Sequence, residues 1–311
     1  MSPVRFGLFF PQVAMSFRVI RERALLAERL GYDSIFFVDH MWNRGLPALD
    51  HLEAWTLMSA TAALTQRIRI GALVLCNSYR NPALVAKMAA SLDNVSNGRL
   101  VFGIGAGWME EEYRAYGYSF PRLRVRIEQL DEALQIIKGL FTEPSTTFVG
   151  RHYAVKDAVN HPQPVQRPHP PILIGGAGEK LLLPLVARHA DIWNCPNNHA
   201  TELPRRLAVL HQLCAANGRD PSAIEVSEQC IVVLGRTEAE FRHQWAAAQR
   251  VLGRVFDLEQ TAYRGTPEQV AEQLRRRVNQ GVTFFTFLLS DGHSPESLEL
   301  FAEKVVPAVG E

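Results

Sequence analysis

Where an apolar run stops at Val38, the chain sets a carboxylate and an imidazole side by side, Asp39-His40. A histidine holds or sheds a proton near neutral pH, so the pair is a candidate for general acid–base catalysis. A loop cap followed by a bonded surface histidine would leave the same two residues. Two glycine-rich turns offer binding rather than proton transfer. Gly103-Ile104-Gly105-Ala106-Gly107-Trp108 removes side chains at alternate positions, which leaves one face open to a planar ring or to tight strand–helix packing. Gly175-Gly176-Ala177-Gly178 leads through Glu179-Lys180 into a helical pattern. Backbone N–H groups at such a start cradle phosphate; a plain strand-to-helix turn is the other reading. Neither run has the spacing of a dinucleotide fingerprint or a P-loop. Cys76 and Asn77, small and polar at the end of another apolar run, would let a flat ligand approach the backbone, or would form an ordinary loop. Phe10, Trp42, Trp108 and Trp193 fall near the ends of apolar runs and could wall a substrate pocket, although core packing is the common fate of such rings. The chain has no H-E-x-x-H, no clustered His/Cys set and no G-x-S-x-G elbow, so neither a metal site nor a serine hydrolase is expected.

These residues share an address: each follows a short apolar run. Eight such runs recur, at Arg5–Phe10, Ser34–Val38, Ile68–Leu75, Arg99–Gly105, Pro171–Gly176, Asp191–Cys195, Ile224–Gly235 and Phe284–Ser290. Several are apolar on both faces, the mark of parallel strands covered by helices on either side. Helical patterns alternate with them, over Phe17–Gly31, Glu53–Leu64, Pro82–Val95, Leu123–Phe141, Glu179–His189, Glu202–Asn217, Glu238–Leu252 and Pro267–Gln280. The last opens with Thr266 as N-cap, Pro267 at the first helical position and Gln269 completing a capping box. Eight strands alternating with helices predict an α/β fold, a (β/α)8 TIM-type barrel forming one domain over residues 1–311, ahead of an open doubly wound sheet. Two stretches break the rhythm. One is proline-rich, at about 142–170, with strand-like pieces at Thr147–Val149 and His152–Val155; the other is Arg254–Gly265. In a barrel, an insertion is expected over the C-terminal face, where catalytic groups gather at strand ends.

Bulk properties exclude several classes. A chain of 311 residues with net charge +1 lacks the basic excess of a nucleic-acid binder. No apolar run is long enough to span a bilayer. The four cysteines form no C-x-x-C pair, which suits reduced thiols and a cytoplasmic location.

Taken in order, Arg5–Gln12, Gly31–Ser34, Val38–His40, Gly71–Val74, Tyr79–Pro82, Leu92–Leu100, Gly103–Trp108, Ala115–Gly117, Pro164–Ile172, Gly175–Lys180 and Gly265–Glu268 resemble the luciferase-like monooxygenase superfamily, most of all its coenzyme F420-dependent oxidoreductase branch. The resemblance covers nearly the whole chain. It implies the same barrel, a small organic substrate, a homodimer, and F420 as cofactor, with FMN as the alternative. It implies that Asp39 bonds the ring system, that His40 sits near the reactive carbon, that Cys76, Asn77, Gly107 and Trp108 line the ring, and that Gly175, Gly176, Ala177 and Gly178 take the phosphate. The anionic tail of F420 would need cations at the rim, for which Lys180, Arg80 and Arg167 are candidates. A non-prolyl cis peptide is implied after the third strand, at Leu75-Cys76 or Cys76-Asn77. The sugar-phosphate dehydrogenases of this branch carry a glutamate after the glycine-rich turn, where this chain has Trp108. That departure argues against sugar oxidation, because the acid partner is missing there.

Overall fold

Residues 3–196 and 202–310 are described by a computed structural model. Strands β1 (Arg5–Phe10), β2 (Ser34–Phe37), β3 (Arg69–Ala72), β4 (Leu75–Cys76), β5 (Leu100–Gly105), β6 (Thr146–Val149), β7 (Ala154–Ala158), β8 (Ile172–Gly175), β9 (Ile192–Pro196), β10 (Glu225–Leu234), β11 (Ala262–Gly265) and β12 (Phe284–Leu289) follow in chain order. Parallel pairing runs β12–β1–β2–β3–β5–β8–β9, and β10 joins β9 to β12, so the ring closes. With β4 continuing the wall begun by β3, the ring is an eight-strand TIM-type barrel, as the alternation of elements predicts. Most of the ring strands are apolar on both faces, one turned inward and the other against helices.

Helices α1 (Phe17–Leu30), α2 (Ala54–Leu64), α3 (Pro82–Val95), α4 (Glu110–Ala115), α5 (Leu123–Thr142), α6 (Leu182–His189), α7 (Leu203–Ala216), α8 (Glu238–Val251), α9 (Leu258–Thr261), α10 (Pro267–Val278), α11 (Pro295–Leu300) and α12 (Val306–Gly310) surround or extend the ring. Their ends obey local chemistry. Ser16 caps α1, which stops at Gly31 in the left-handed region, and Asn81 accepts the Ala83 N–H ahead of Pro82. Thr266 and Gln269 form the expected capping box. None of the described helices is long and apolar enough to cross a membrane. The four cysteines are free and buried.

The barrel interior is filled by Phe36, Leu73, Val101, Leu173, Ile192 and Phe284 with Phe9. Arg5 closes the N-terminal end, lying 4.2 Å over the Phe284 ring and pairing with Asp33 and Glu225. The stretch at 142–170 leaves α5 as the β6–β7 hairpin and runs along the flank of the barrel. Its Arg151, His152 and Tyr153 N–H groups bond Glu132 of α5, and Val165 and Gln166 bond Asp93 of α3. Its tip reaches the mouth at Tyr153, 3.4 Å from the Asn77 amide. Two details differ from the sequence expectation. The third apolar run is not one strand, because β3 ends at Ala72 and pairing resumes at Leu75. Arg254–Gly265 is not wholly irregular, because it contains α9 and β11, the latter paired in parallel with Ile231–Leu234 of β10.

Candidate active site

The C-terminal ends of the strands and their loops enclose a cavity of about 640 Å³, within the range typical of small-molecule sites. Asp39, His40, Cys76, Gly107, Trp108, Gly175, Gly176, Ala177 and Gly178 all line it, as does Glu112. Residues from four separate strand ends, with one from α4, therefore converge on one space.

His40 follows β2 and turns its Nδ1 to Glu112 Oε2 at 2.8 Å. Glu112 is fully buried on α4 and also accepts from the Met41 N–H at 2.5 Å and from the Tyr79 hydroxyl. Burial works against its charge, but the bonds from His40, Tyr79 and Met41 prevail and hold the carboxyl below the usual glutamate range. Burial and the Glu112 carboxylate raise the Tyr79 phenol, which stays protonated and donates. A carboxylate only accepts, so the proton of a neutral His40 sits on Nδ1 and Nε2 keeps its lone pair. Trp108 stands edge-on to the imidazole, with ring centroids 5.6 Å apart. A carboxyl group four positions after Trp108 thus stands beside the imidazole.

Asp39 is held differently. It is almost wholly buried and accepts the Cys76 N–H at 2.8 Å and both arms of the Arg80 guanidinium at 2.7 and 2.8 Å. Burial pushes its carboxyl up while Arg80 pulls the other way. The result is a tether between β2 and β4 rather than a free base. Arg80 is correspondingly not a rim cation, since it also bonds Glu53. Cys76 Sγ lies 3.0 Å from the Tyr113 hydroxyl, and burial pushes the thiol up to about 11, which keeps it protonated.

The cis peptide lies at Leu73-Val74, inside the break between β3 and β4, not after Leu75 as the resemblance implies. A Cβ at Gly105 would sit 2.7 Å from a Val74 methyl, and one at Gly175 would sit 3.0 Å away. The alternating glycines therefore make room for Val74, and Val74 in turn presents an apolar face to the cavity. Gly107 is constrained too. Its φ is +75°, and a Cβ would fall 1.9 Å from the Tyr113 hydroxyl oxygen.

After β8 the chain turns through Gly176, whose N–H bonds the Asn194 carbonyl at 3.0 Å. Helix α6 starts at Leu182 rather than Glu179 because Leu182 and Leu183 both donate to the Gly178 carbonyl. The N–H groups of Ala177 to Leu181 have no partner among the described residues. A short arc of unbonded amides beside a helix start suits a phosphate. Gly176 has φ +131°, and a Cβ there would meet Leu182 at 2.5 Å. Gly176→Glu is expected to weaken binding of F420 or FMN by about a hundredfold or more, through lost space and charge repulsion, with circular dichroism unchanged. A dissociation constant equal to that of the parent would refute the phosphate assignment. Lys180 leans into a second groove of about 230 Å³ with Arg124 and Arg188, which shares Ile127 and Leu181 with the main cavity. Arg167 lies elsewhere. It follows Gln166, which bonds the Leu100 carbonyl at the N-terminal end of β5.

Four expected site residues are not in the lining. Trp193 is fully buried and donates to the Gly176 carbonyl at 2.8 Å. Strand alternation sends it outward to the helices and sends Asn194 and Pro196 to the cavity instead. Phe10 likewise points outward, 4.5 Å from the His293 ring, while Phe9 faces inward. Trp42 is half-buried beside the mouth. Asn77 turns to Tyr153. Lining residues that the sequence analysis did not single out for the site include Glu112, Tyr79, Val74, Asn194, Gln229 and Phe256.

A family model described as luciferase-like monooxygenase matches residues 4–254. The chain belongs to this family. Among relatives of this luciferase-like protein, an FMNH2-dependent dimethylsulfone monooxygenase of Pseudomonas putida is 26% identical and aligned over 100% of this chain and 96% of its own. An F420-dependent glucose-6-phosphate dehydrogenase of Amycolatopsis mediterranei is also 26% identical, over 93% of this chain and 94% of its own. The solved structure of an F420-dependent secondary alcohol dehydrogenase superposes with a TM-score of 0.83 over 99% of this chain and 100% of its own, at 20% identity. That likeness is one of fold. The relatives use two different cofactors, and the luciferase-like fold accommodates both.

Proposed function

We propose that this luciferase-like protein is an F420-dependent oxidoreductase that moves a hydride between the deazaflavin and a small organic substrate. The observation that carries the reading is the His40–Glu112 pair opening on the same cavity as Ala177, Gly178 and Leu181, whose amides are free among the described residues. A hydride transfer to or from a carbon–oxygen bond must be matched by one proton, and this site holds one well-placed proton carrier. The cavity fits the cofactor: the amide arc suits its phosphate, and Val74, seated over Gly105 and Gly175, gives an apolar face for its ring.

When bound, the deazaflavin supplies a ring carbon that accepts or gives a hydride. The chain does the rest. Glu112 fixes the His40 tautomer, so that Nε2 takes a proton in the oxidising direction and returns it in the reducing one. Tyr79 and the Met41 N–H keep Glu112 charged and in place. Asp39 and Arg80 hold the loop after β2 against β4, which sets the position of His40.

F420 is favoured over FMN by Lys180 and Arg124 in the groove that continues from the glycine turn, where Arg188 is already paired with Asp131 and Glu128 also lines the wall. F420 carries an anionic tail beyond its phosphate and FMN does not. Titrations of both cofactors are expected to show tighter binding of F420 at low ionic strength. The difference should shrink with salt, since exposed pairs contribute only about 0.2–1 kcal/mol each. Equal affinity at low salt, or tighter FMN, would shift the assignment to a reduced-FMN monooxygenase.

A further inference from the structure

The paired register of β1 and β2 runs as far as Phe10 and Phe37. One step further on, a side chain takes over the work of a strand. The Gln12 amide oxygen accepts the Val38 N–H at 3.0 Å, and its Nε2 donates to the Val38 carbonyl at 2.8 Å. The second hydrogen on Nε2 goes to the Leu52 carbonyl at 2.9 Å. One N–H facing the oxygen and two carbonyls facing the nitrogen leave the amide a single orientation. Among the described residues Gln12 is the only donor to either carbonyl. Val38 is buried and stands directly before Asp39-His40.

Gln12 itself is fully buried and lies outside the cavity lining. Its φ is +45°, a region that a residue with a side chain seldom occupies. Such a conformation persists only where the surroundings enforce it, and residues held in this way gather at functional sites. The element it governs is the mouth loop. Val38 opens the stretch 39–51 and Leu52 closes it. The neighbours of Gln12 extend the clamp, since the Ala14 N–H bonds the Asp50 carbonyl at 2.9 Å and Val13 bridges to His51. One amide thus holds both ends of the loop that carries His40. The Asp39–Arg80 pair ties the same turn to the far side of the mouth but gives the Val38 carbonyl no donor. Without Gln12 that buried carbonyl is left unmet, which a folded chain tolerates poorly. The peptide plane between Val38 and Asp39 would turn to reach a donor, and His40 is the next residue along. Its Nδ1 lies 2.8 Å from Glu112 Oε2, a contact that is lost with a displacement of less than an ångström or so.

Building on the reading of His40 as the proton carrier, we propose that Gln12 is its positioning residue: by clamping Val38 and Leu52 it keeps the imidazole registered against Glu112, with the proton on Nδ1 and the lone pair on Nε2. Gln12 acts through the backbone of the loop alone.

The test reads the His40 tautomer in the protein without ligand, by proton–nitrogen NMR of isotope-labelled histidine at about pH 8, where a histidine is ordinarily neutral. The His40 signal is identified by its loss in His40→Ala. In the parent the Nδ1–H form is expected in about tenfold excess or more. Gln12→Met fills a similar space and makes none of the three bonds, so the two tautomers are expected within about threefold of each other. If Gln12→Met does not fold, Gln12→Asn, which keeps an amide but lacks a methylene of reach, carries the same expectation. Affinity for F420 and for FMN, read by their fluorescence, is expected to stay within about threefold of the parent, because the glycine turn follows a different strand. A parent without the Nδ1–H excess, or a folded variant with the parent's tautomer ratio, would overturn the proposal. So would a cofactor affinity that falls by more than about tenfold along with the tautomer ratio, the mark of a general loosening of the mouth. The reading of His40 fails separately. Parent-like turnover in His40→Ala would remove the proton carrier and leave the tautomer result with Gln12→Met standing.

Discussion

His40→Ala is expected to lower kcat by about 10²–10⁴-fold, the usual contribution of a positioned acid–base group. F420 binding should change little by comparison, because the amide arc after β8 and the Val74 face come from other strands. Single-turnover reaction of F420-loaded protein with a substrate in excess separates the hydride step from binding. Glu112→Gln should act in the same direction. A glutamine can still meet His40, but it can do so as a donor as well as an acceptor, so the tautomer is no longer dictated. Its effect should appear in kcat rather than KM, since Glu112 reaches the substrate only through His40. Parent-like single-turnover rates in His40→Ala would make the histidine a structural residue and leave the site without a proton carrier.

The largest stability effect is expected away from the mouth. Glu228 of β10 is 1% exposed and accepts two hydrogen bonds from Arg277 of α10, at 2.8 and 2.6 Å, and a third from the Tyr263 hydroxyl. Arg277→Leu would leave a buried carboxylate with one donor, and breaking such a pair costs about 3–5 kcal/mol. Burial already raises the Glu228 carboxyl, with Arg277 opposing; without Arg277 the rise is larger. A folded-state pKa raised above the unfolded one gives stability that is fully present below the unfolded value and is lost as pH rises. The variant should therefore be weakest at neutral pH, and its deficit should narrow as pH falls through the carboxylate range. Urea unfolding across that range measures it. Glu228→Gln combined with Arg277→Leu should recover part of the loss, because the buried charge is gone. A pH-independent deficit, or a double variant no better than the single, would show that Arg277 acts by packing alone.

Much of this architecture was legible in the residues. Runs such as Ser34–Phe37 and Phe284–Leu289 are apolar at all but one position, on both faces, as a strand covered on both sides needs. Asp39, His40 and the glycine turn were found because strand ends in a barrel converge. Phe10 and Trp193 were misplaced because nearness to a strand end says nothing about which side a residue faces. Counting alternate positions would have turned Trp193 outward and Asn194 inward. Glu112 was hidden in an acidic triplet that reads as a solvated surface. Yet Glu110 pairs with Arg114 and Glu111 with Arg44, whereas the positions three and four away from Glu112 are Trp108, Met109, Ala115 and Tyr116. That apolar setting is the trace a buried acid leaves in a sequence. β11 was missed because four residues in an irregular stretch carry too little pattern.

Strand β10 has a consequence for how the molecule comes apart. Its first half is bonded on both edges, by β9 and β12, but from Ile231 to Leu234 it also carries β11, which pairs with no other strand. The residues around this extension, Ile231, Val233, Ala248 and Leu258, form a small apolar cluster of their own, separate from the main core. Phe256 sits in the segment that joins α8 to α9 beside it. Amide hydrogen exchange should thus be graded, slowest in β1, β2 and β12 and faster from α8 through β11, because such a unit opens sub-globally at less than the free energy of global unfolding. The part of the cavity wall that Phe256 contributes would then breathe on a closed ring, widening the entrance while the strand ends that carry the rest of the lining stay in place.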